Sequence, residues 1–363
     1  MLRRWLGRSE QTAHRVALRP GDCSIEVAPE LTVLEAALRQ GVPFPHSCRV
    51  GTCGTCKCRL VSGKVTELSD KAYVLSGEEI RAGFVLACQS LARTDLELEL
   101  PAPLRLHDPA QPAIVHTAGT IAALRPLTHD ILELVVDVDQ PVSYRAGQYV
   151  EIFVPGVVED DERETRSYSF ASAPGAEPTK RVSFYVRLVP GGEFTGWLFR
   201  EAKAGQRLEG HGPYGDFWLR PDTAPILCMA GGSGLAPIKA ILEQAASEGV
   251  ERDVSLYFGA RRREDLYAVA ELTELAKRWR GRFSFVPVLS GEPEDSDWVG
   301  ERGFVTEAVR RQRGAGIAEH HVYVCGPPPM VDAALSVVRD AGVPDAHVHF
   351  DKFLDRSHLL ARG

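Results

Sequence analysis

The chain opens on short runs in which apolar and polar residues alternate. HRVALRP (14–20) and CSIEVAP (23–29) are joined around Gly21-Asp22, the pattern of a β-hairpin. In Thr32-Val-Leu-Glu35, which follows, the threonine hydroxyl and the glutamate carboxylate can satisfy the open amides of a helix start. The helix this predicts, VLEAALRQ, stops at Gly41 with Pro43 beyond. Between residues 114 and 221 the pattern becomes a succession of strand-like runs, ILELVVDV, QYVEIFV, RSYSFAS and RVSFYVRLV, with helical signal confined to FTGWLFREA. Short strands at this spacing predict a small antiparallel barrel. From Ala224 strands and helices alternate: APILCMA with PIKAILEQAASEG, VSLYFGA with EDLYAVAELTELAKR, FSFVPVL with a helix near VTEAVRR, and HVYVC with PPMVDAALSVVRDAG. That rhythm predicts βαβ units and a parallel sheet. The Pro-studded stretch PAPLRLHDPAQPA (101–113) reads as a linker.

At 363 residues the chain is too long for one ordinary domain and suits two or three. Its 44% hydrophobic and 25% charged residues are typical of a globular protein, and a net charge of −7 argues against a nucleic-acid partner. No apolar stretch reaches the ~18 residues of a membrane span. MLRRWLGRSEQ has basic residues but no apolar signal-peptide core, so the expected location is the cytoplasm. This basic start reads as a frayed terminus in preference to a contact with a membrane-bound partner. Residues 1–105 hold 14 Lys/Arg against 12 Asp/Glu, and the remaining 258 carry a sum of −9.

Four of the eight cysteines crowd into residues 48–58, which suits a metal or redox site in a reducing compartment better than a disulfide framework. Cys48, Cys53 and Cys56 are spaced C-x4-C-x2-C, and Cys88 follows after 31 residues, the spacing of a plant-type [2Fe–2S] site. Gly51, Thr52, Gly54 and Thr55 are small enough for the backbone to wrap a cluster with its amides facing the sulfurs. A structural zinc site is the alternative, but it more usually shows two C-x2-C pairs. A Rieske centre needs two His ligands, and no C-x-H pair occurs. Cys23 and Cys58 read as buried thiols outside the ligand set.

Arg166-Ser-Tyr168-Ser169 lies on a predicted strand, and a pattern this short fits an ordinary half-buried strand equally well. Gly191-Gly192-Glu-Phe-Thr195 reads as a glycine turn opening a helix whose free amides can receive a phosphate. Gly212-Pro-Tyr214-Gly215 reads as a tight turn before the next region. Gly231-Gly232-Ser-Gly234-Leu-Ala-Pro237 stands between an apolar run and a helix, the strand–turn–helix order of a pyrophosphate cradle. Cys325-Gly-Pro-Pro-Pro-Met330 again closes a strand, with proline placed to begin a helix.

On CRVGTCGTC, RSYS, FYVRLVPGGEFTGWLF, GPYG, GGSGLAPI, YFGAR and CGPPPMVDAA, in that order, the chain resembles the NADH-dependent reductase components of bacterial multicomponent aromatic mono- and dioxygenases. These belong to the ferredoxin–NADP reductase-like superfamily. The resemblance spans residues 14 to 354 and implies a multidomain protein: a β-grasp [2Fe–2S] ferredoxin domain (1–103), a linker (104–113), an antiparallel β-barrel FAD domain (114–221) and an α/β parallel-sheet NAD(P)-binding domain (222–363). It implies Cys48, Cys53, Cys56 and Cys88 as cluster ligands. Arg166 would hold the flavin pyrophosphate, Tyr168 would pack on the isoalloxazine, and Ser169 would hydrogen-bond near its N5. Gly191, Gly192 and Thr195 would meet the phosphates of FAD, and Gly232, Gly234 and Pro237 would line the dinucleotide. Cys325 would stand beside the nicotinamide, and Phe353, in HFDKF, would cover the other face of the flavin. The implied activity takes hydride from NADH onto FAD and passes single electrons through the cluster to a terminal oxygenase. That partner is a diiron hydroxylase or a Rieske dioxygenase, reached directly or through a small ferredoxin.

Two features depart from the resemblance. Ten residues follow Phe353, and Gly259-Ala-Arg261-Arg262-Arg263 carries more positive charge than an NADH site needs. Arginine near the adenosine ribose accommodates a 2′-phosphate, while a solvated turn before Glu264-Asp265 is the plainer reading. NADH is therefore expected and NADPH left open. No E-x-x-H diiron pair occurs, so oxygen chemistry is expected elsewhere. Three other readings remain: the flavin subunit of a sodium-pumping NADH:quinone reductase, which would need an N-terminal membrane helix; a reductase serving sugar deoxygenation; and a zinc-binding interaction protein.

Overall fold

A computed structural model describes residues 13–46, 51, 54–101, 112–159 and 162–353. The chain forms two compact units, Met1–Pro109 and Ala110–Gly363. The basic start and nearly all of the linker lie outside the described residues, as does the ten-residue tail.

In the first unit, β1 (His14–Arg19) and β2 (Cys23–Val27) pair antiparallel as the alternation predicts, with Val16, Leu18, Ile25 and Val27 turned inward. Helix α1 (Val33–Arg39) starts on the expected capping box. Glu35 N donates to Thr32 Oγ1 at 3.2 Å, and Thr32 N donates to Glu35 Oε2 at 2.9 Å. The unit continues with β3 (Lys57–Ser62), β4 (Val65–Glu67), α2 (Gly77–Arg81), β5 (Phe84–Leu86), β6 (Ser90–Ala92) and β7 (Leu96–Glu99). The main sheet has the order β2-β1-β7-β3-β5, with β1 and β7 parallel. Val33, Leu34, Ala36 and Ala37 of α1 share one core with the inward residues of this sheet, a mixed sheet on one helix.

The second unit begins with β8 (Val115–Pro126), β9 (Ile131–Val142), β10 (Tyr149–Glu159), β11 (Glu162–Ser169), β12 (Thr179–Arg187), α3 (Glu193–Arg200) and β13 (Arg207–Tyr214). The six strands form an antiparallel sheet, β11-β10-β13-β8-β9-β12, that curls until its edges meet at a Phe170–Phe184 bridge. Then come β14 (Ile226–Gly231), α4 (Leu235–Ser247), β15 (Val254–Ala260), α5 (Val269–Arg278), β16 (Phe283–Leu289), β17 (Glu301–Arg302), α6 (Val305–Arg313), β18 (His321–Gly326), α7 (Pro328–Asp340) and β19 (Val348–Lys352). These strands form a parallel sheet in the order β17-β16-β15-β14-β18-β19. β14 and β18 are buried along their whole length, as strands covered on both faces must be.

Three details differ from expectation. Gly212-Pro-Tyr214 is the end of β13 and pairs with the sheet, so only Gly215 turns the chain. The helix expected over EDLYAVAELTELAKR starts only at Val269. Tyr267, 5% exposed, drives its ring into the core and donates its hydroxyl to Gly232 O at 2.7 Å, which holds the preceding residues out of helical register. HFDK, which leads into the singled-out Phe353, is most of β19, a strand made by pairing with β18 and not by its own pattern.

The capping box gives a direct test. Thr32→Ala removes the bond to the Glu35 amide and should cost about 1 kcal/mol, lowering the first unit's unfolding temperature by roughly 4–8 °C. Thr32→Ser should recover most of it in the same calorimetric scan. Equal losses for both variants would show that the hydroxyl is not the cause.

Candidate functional site

Of the four predicted cluster thiols, Cys48 and Cys53 lie outside the described residues. Cys56 and Cys88 are brought together by the antiparallel pairing of β3 with β5, in which Lys57 faces Leu86 and Ala87 N donates to Cys56 O at 3.1 Å. Both are 3% exposed, and their sulfurs lie 3.2 Å apart. Gly51 lies at φ +77°, a backbone conformation that favours glycine, and a Cβ there would stand 2.6 Å from Gln89 Cγ. Two buried sulfurs converging in this way fit the thiolate set of an iron–sulfur cluster. Cys58 is a core thiol, fully buried and pushed up in pKa first by that burial and then by Cys56.

Arg166, Tyr168 and Ser169 sit on β11, paired with Ile152, Val150 and Tyr149 of β10. The Arg166 guanidinium is half-buried and held by Glu164 Oε1 at 2.6 Å and Thr165 O at 2.8 Å, which orients its fork. Tyr168 packs 5.4 Å from the ring of Phe194 on α3, so the RSYS strand and this helix meet. Burial raises the Tyr168 phenol and keeps it neutral. Gly192 is the N-cap of α3 and no side chain caps that end, leaving first-turn amides for an anion. Thr195 stands in the first turn of the same helix, and its hydroxyl accepts from Val189 N at 3.1 Å, bracing the Gly191-Gly192 loop.

The glycine turn Gly231–Gly234 leads from β14 into α4, with Pro237 in the helix's first turn. A Cβ on Gly234 would stand 2.4 Å from the carbonyl oxygen of Cys325, so this position admits glycine alone. Cys325 is the penultimate residue of β18, fully buried, with its thiol pushed well up by burial and then by Asp351. Asp351 on β19 lies 3.5 Å from Ser169 Oγ across the boundary between barrel and parallel sheet. Phe353 N donates to Gly326 O at 2.9 Å, and its half-buried ring packs on the core that contains Cys325. Ser169, Cys325 and Phe353 therefore gather at the carboxyl ends of β14 and β18. The strand order reverses there, the place where open α/β sheets bind ligands.

Arg261 follows β15 on the same carboxyl edge and is exposed. Arg263 is engaged with Asp297 at 2.6 Å and lies over the Trp298 ring at 5.6 Å. Sequence reasoning passed over Asp351 and Tyr267. It also missed Arg187, which pairs with Asp130 at 2.9 Å and reaches within 3.5 Å of the Cβ position of Gly232. Asp351 had a usable signal, since it stands two residues before the expected flavin aromatic Phe353.

A cysteine loop, a curled antiparallel sheet with an RSYS strand and a parallel sheet with a glycine turn together define an iron–sulfur flavoprotein reductase. Three protein-family models match in the same order: the 2Fe-2S iron-sulfur cluster binding domain over residues 16–93, the oxidoreductase FAD-binding domain over 119–218 and the oxidoreductase NAD-binding domain over 228–336. The chain is 42% identical to the xylene/toluene monooxygenase electron transfer component of Pseudomonas putida, covering 94% of each chain. Among solved structures it is similar to a cytochrome P450 reductase of Amycolatopsis, with 35% identity, a TM-score of 0.78 and coverage of 94% of this chain and 98% of that one. It is also similar to the ferredoxin reductase in carbazole 1,9a-dioxygenase, with 30% identity, a TM-score of 0.71 and coverage of 94% and 99%. The chain belongs to the family of reductase components of multicomponent oxygenases, with [2Fe–2S], FAD and NAD as its cofactors. The zinc-binding interaction protein loses its ground, because the cysteine loop falls inside the matched cluster domain.

The state of Cys325 can be checked by pH. Folding disfavours its thiolate, whereas the unfolded chain ionises near the ordinary thiol value of 9.0. Its contribution to stability is therefore full below about pH 9 and falls as pH rises beyond that. Native protein treated with iodoacetamide at pH 8.5 should show no carbamidomethyl label on Cys325 by peptide mass spectrometry, and unfolded protein should show full labelling. Rapid labelling of the folded protein would contradict a buried neutral thiol.

Proposed function

We propose that the residues gathered at the sheet's carboxyl edge take hydride from NADH, and that the electrons leave through a cluster held by Cys48, Cys53, Cys56 and Cys88 to the terminal oxygenase of an aromatic- or hydrocarbon-oxidising system. The observation that carries this reading is the meeting of Ser169 from the barrel with Cys325 and Asp351 from the parallel sheet in one crevice. A bound flavin accepts electrons in pairs and releases them singly, the conversion that a hydride donor and a one-electron cluster need between them.

In this proposal Arg166 and the open amides of α3 hold the flavin's phosphates, with Gly191 and Gly192 letting the backbone approach. Thr195 acts as the brace of that loop. Tyr168 packs the ring system as a neutral phenol, and Phe353 covers its other side. Ser169 Oγ holds a proton between the flavin and the Asp351 carboxylate. Gly232, Gly234 and Pro237 line the dinucleotide. Cys325, compact and uncharged, lets the nicotinamide lie close without repelling or attracting its changing charge. We assign residues 1–103, 114–221 and 222–363 to the ferredoxin, flavin and nucleotide domains, with 104–113 as linker. No helix among the described residues is long and apolar enough to cross a membrane. Cluster thiolates need a reducing compartment, so the cytoplasm is the proposed location.

Anaerobic titration with NADH tests the relay. Visible flavin and iron–sulfur absorbance should bleach stepwise, with about three electrons taken up per chain. Cys88→Ser should keep NADH-dependent flavin bleaching and ferricyanide reduction while electron delivery to cytochrome c falls to background. A cluster that stays oxidised beside a bleached flavin in the unaltered protein would sink the internal route.

The nucleotide preference has its own test. We assign NADH as the donor, with Arg261 the residue placed to read a 2′-phosphate. Arg261→Ala should raise the KM for NADPH roughly tenfold, the scale of one charge-assisted hydrogen bond, and leave the KM for NADH within about twofold. Equal increases for both donors would mean that Arg261 meets a part of the nucleotide common to the two.

A further inference from the structure

The glycine turn after β14 is held from the core side by Tyr267, which reaches it at a conformational cost. The Tyr267 ring stands edge-on to Tyr185 of β12 at 5.3 Å and to Phe258 of β15 at 5.4 Å, so its direction is set by two neighbours. Its hydroxyl donates to Gly232 O at 2.7 Å. Burial pushes the phenol well up in pKa, and it stays a donor. The next residue, Ala268, has φ +56°, and among the described residues no other non-glycine lies in the left-handed region. That conformation is unfavourable for a residue with a Cβ, and it persists only where the surroundings impose it. Strain is thus accepted at Ala268, directly beside the one side chain that enters the core to meet Gly232.

The bond to Gly232 O orients a whole peptide. The Gly232–Ser233 bond is trans, so its C=O and its N–H point in opposite directions. With the carbonyl drawn into the core by Tyr267, the Ser233 N–H is turned away from the core. Leu235 N also approaches Gly232 O, but it is shared with Ser233 O and holds the carbonyl less firmly. Gly232 itself lies at φ +54° and has no Cβ to resist rotation of that peptide. A flipped peptide would present a carbonyl oxygen where the N–H had been, and an oxygen repels a phosphate. Positive charge attends the same turn, since Arg187 Nη1 lies 3.5 Å from where a Cβ on Gly232 would stand.

We propose that Tyr267 is a positioning residue for the dinucleotide: by pinning Gly232 O, it keeps the Ser233 amide turned toward the pyrophosphate that NADH and NADPH share. The inference rests on the reading of the glycine turn as the nucleotide cradle. Tyr267 acts through the peptide and does not itself touch the nucleotide. Its effect therefore falls on how tightly the pyrophosphate is held, equally for both donors, and not on hydride transfer.

ADP-ribose, which carries the pyrophosphate without a nicotinamide, tests this by titration calorimetry with the holoprotein. Tyr267→Phe removes only the hydroxyl, and ADP-ribose should then bind about fivefold more weakly, the scale of one neutral hydrogen bond. The KM for NADH and for NADPH should rise by that factor, with kcat held within about twofold. Inhibition by adenosine, which has no phosphate, should not change. The flavin spectrum should stay as it is, and the melting temperature should fall by no more than about 4 °C. Adenosine and ADP-ribose weakened together would show that the hydroxyl merely shapes the domain, and would overturn the proposal. Unchanged ADP-ribose binding in the variant would overturn the role of Tyr267 and leave the nucleotide site standing. No ADP-ribose binding by the unaltered protein would remove the cradle reading itself, and the proposal with it. Should Tyr267→Phe fail to fold, the amide decides: in unaltered holoprotein labelled with 15N-serine, the Ser233 amide proton should move downfield as ADP-ribose saturates. A Ser233 signal that stays in place with ADP-ribose bound would overturn the proposal.

Discussion

The chemistry of the second unit depends on how closely the glycine turn after β14 can lie against the end of β18. With 2.4 Å between a would-be Cβ on Gly234 and the Cys325 carbonyl, α4 can start only if that residue has no side chain. Its start then carries the turn across the place where the strand order reverses. Tyr267 fixes the turn from the other side through Gly232 O. With β14 and β18 so placed, β19 adds beside β18 and carries Asp351 to within 3.5 Å of Ser169 on the barrel. One backbone contact thus decides whether residues nearly two hundred positions apart share a crevice.

That crevice separates two electrostatic tasks. Its floor is made of ionisable groups that burial holds neutral: the Tyr168 and Tyr267 phenols and the Cys325 thiol are all pushed up. Its positive charge stands at the rim, on half-exposed Arg166 and Arg187, each steadied by a carboxylate at 2.6 and 2.9 Å. The rim charges stand where water still screens the cost of bringing charges together, and Asp351 is the carboxylate that faces the neutral groups of the floor.

Features made by neighbours in sequence were legible before the structure. The hairpin at Gly21-Asp22, the Thr32–Glu35 box and the strand–helix rhythm after Ala224 each depend on a few adjacent residues, and each is present. The thiol spacing was equally readable, because a cluster constrains its loop locally. What stayed hidden arises across the fold. The late start of α5 follows from Tyr267 reaching Gly232, 35 residues away. β19 has little strand character of its own and exists because β18 offers an edge. The bond from Val189 N to the Thr195 hydroxyl, which braces the glycine loop, also had no signal in the sequence. The buried Arg252 gave no local signal at all, since its acceptors are the carbonyls of Arg220 and Ala224.

The same layout in relatives is tied by their names to a xylene/toluene monooxygenase, a cytochrome P450 and a carbazole dioxygenase. The P450 is an acceptor class that sequence reasoning had not weighed. Three oxygenase types on one architecture mean that the relay does not select the acceptor, so the choice must lie on surface presented beside the cluster. Charge offers that surface little reach, because residues 1–105 carry 14 basic against 12 acidic side chains, too nearly balanced for strong long-range steering. Short-range fit has more to work with. Leu68 is 56% exposed and its amide donates to Gln89 O at 2.8 Å, which places an uncovered apolar side chain next to the segment that carries Cys88. Recognition built on such contacts is governed by dissociation more than by encounter, and it depends only weakly on ionic strength.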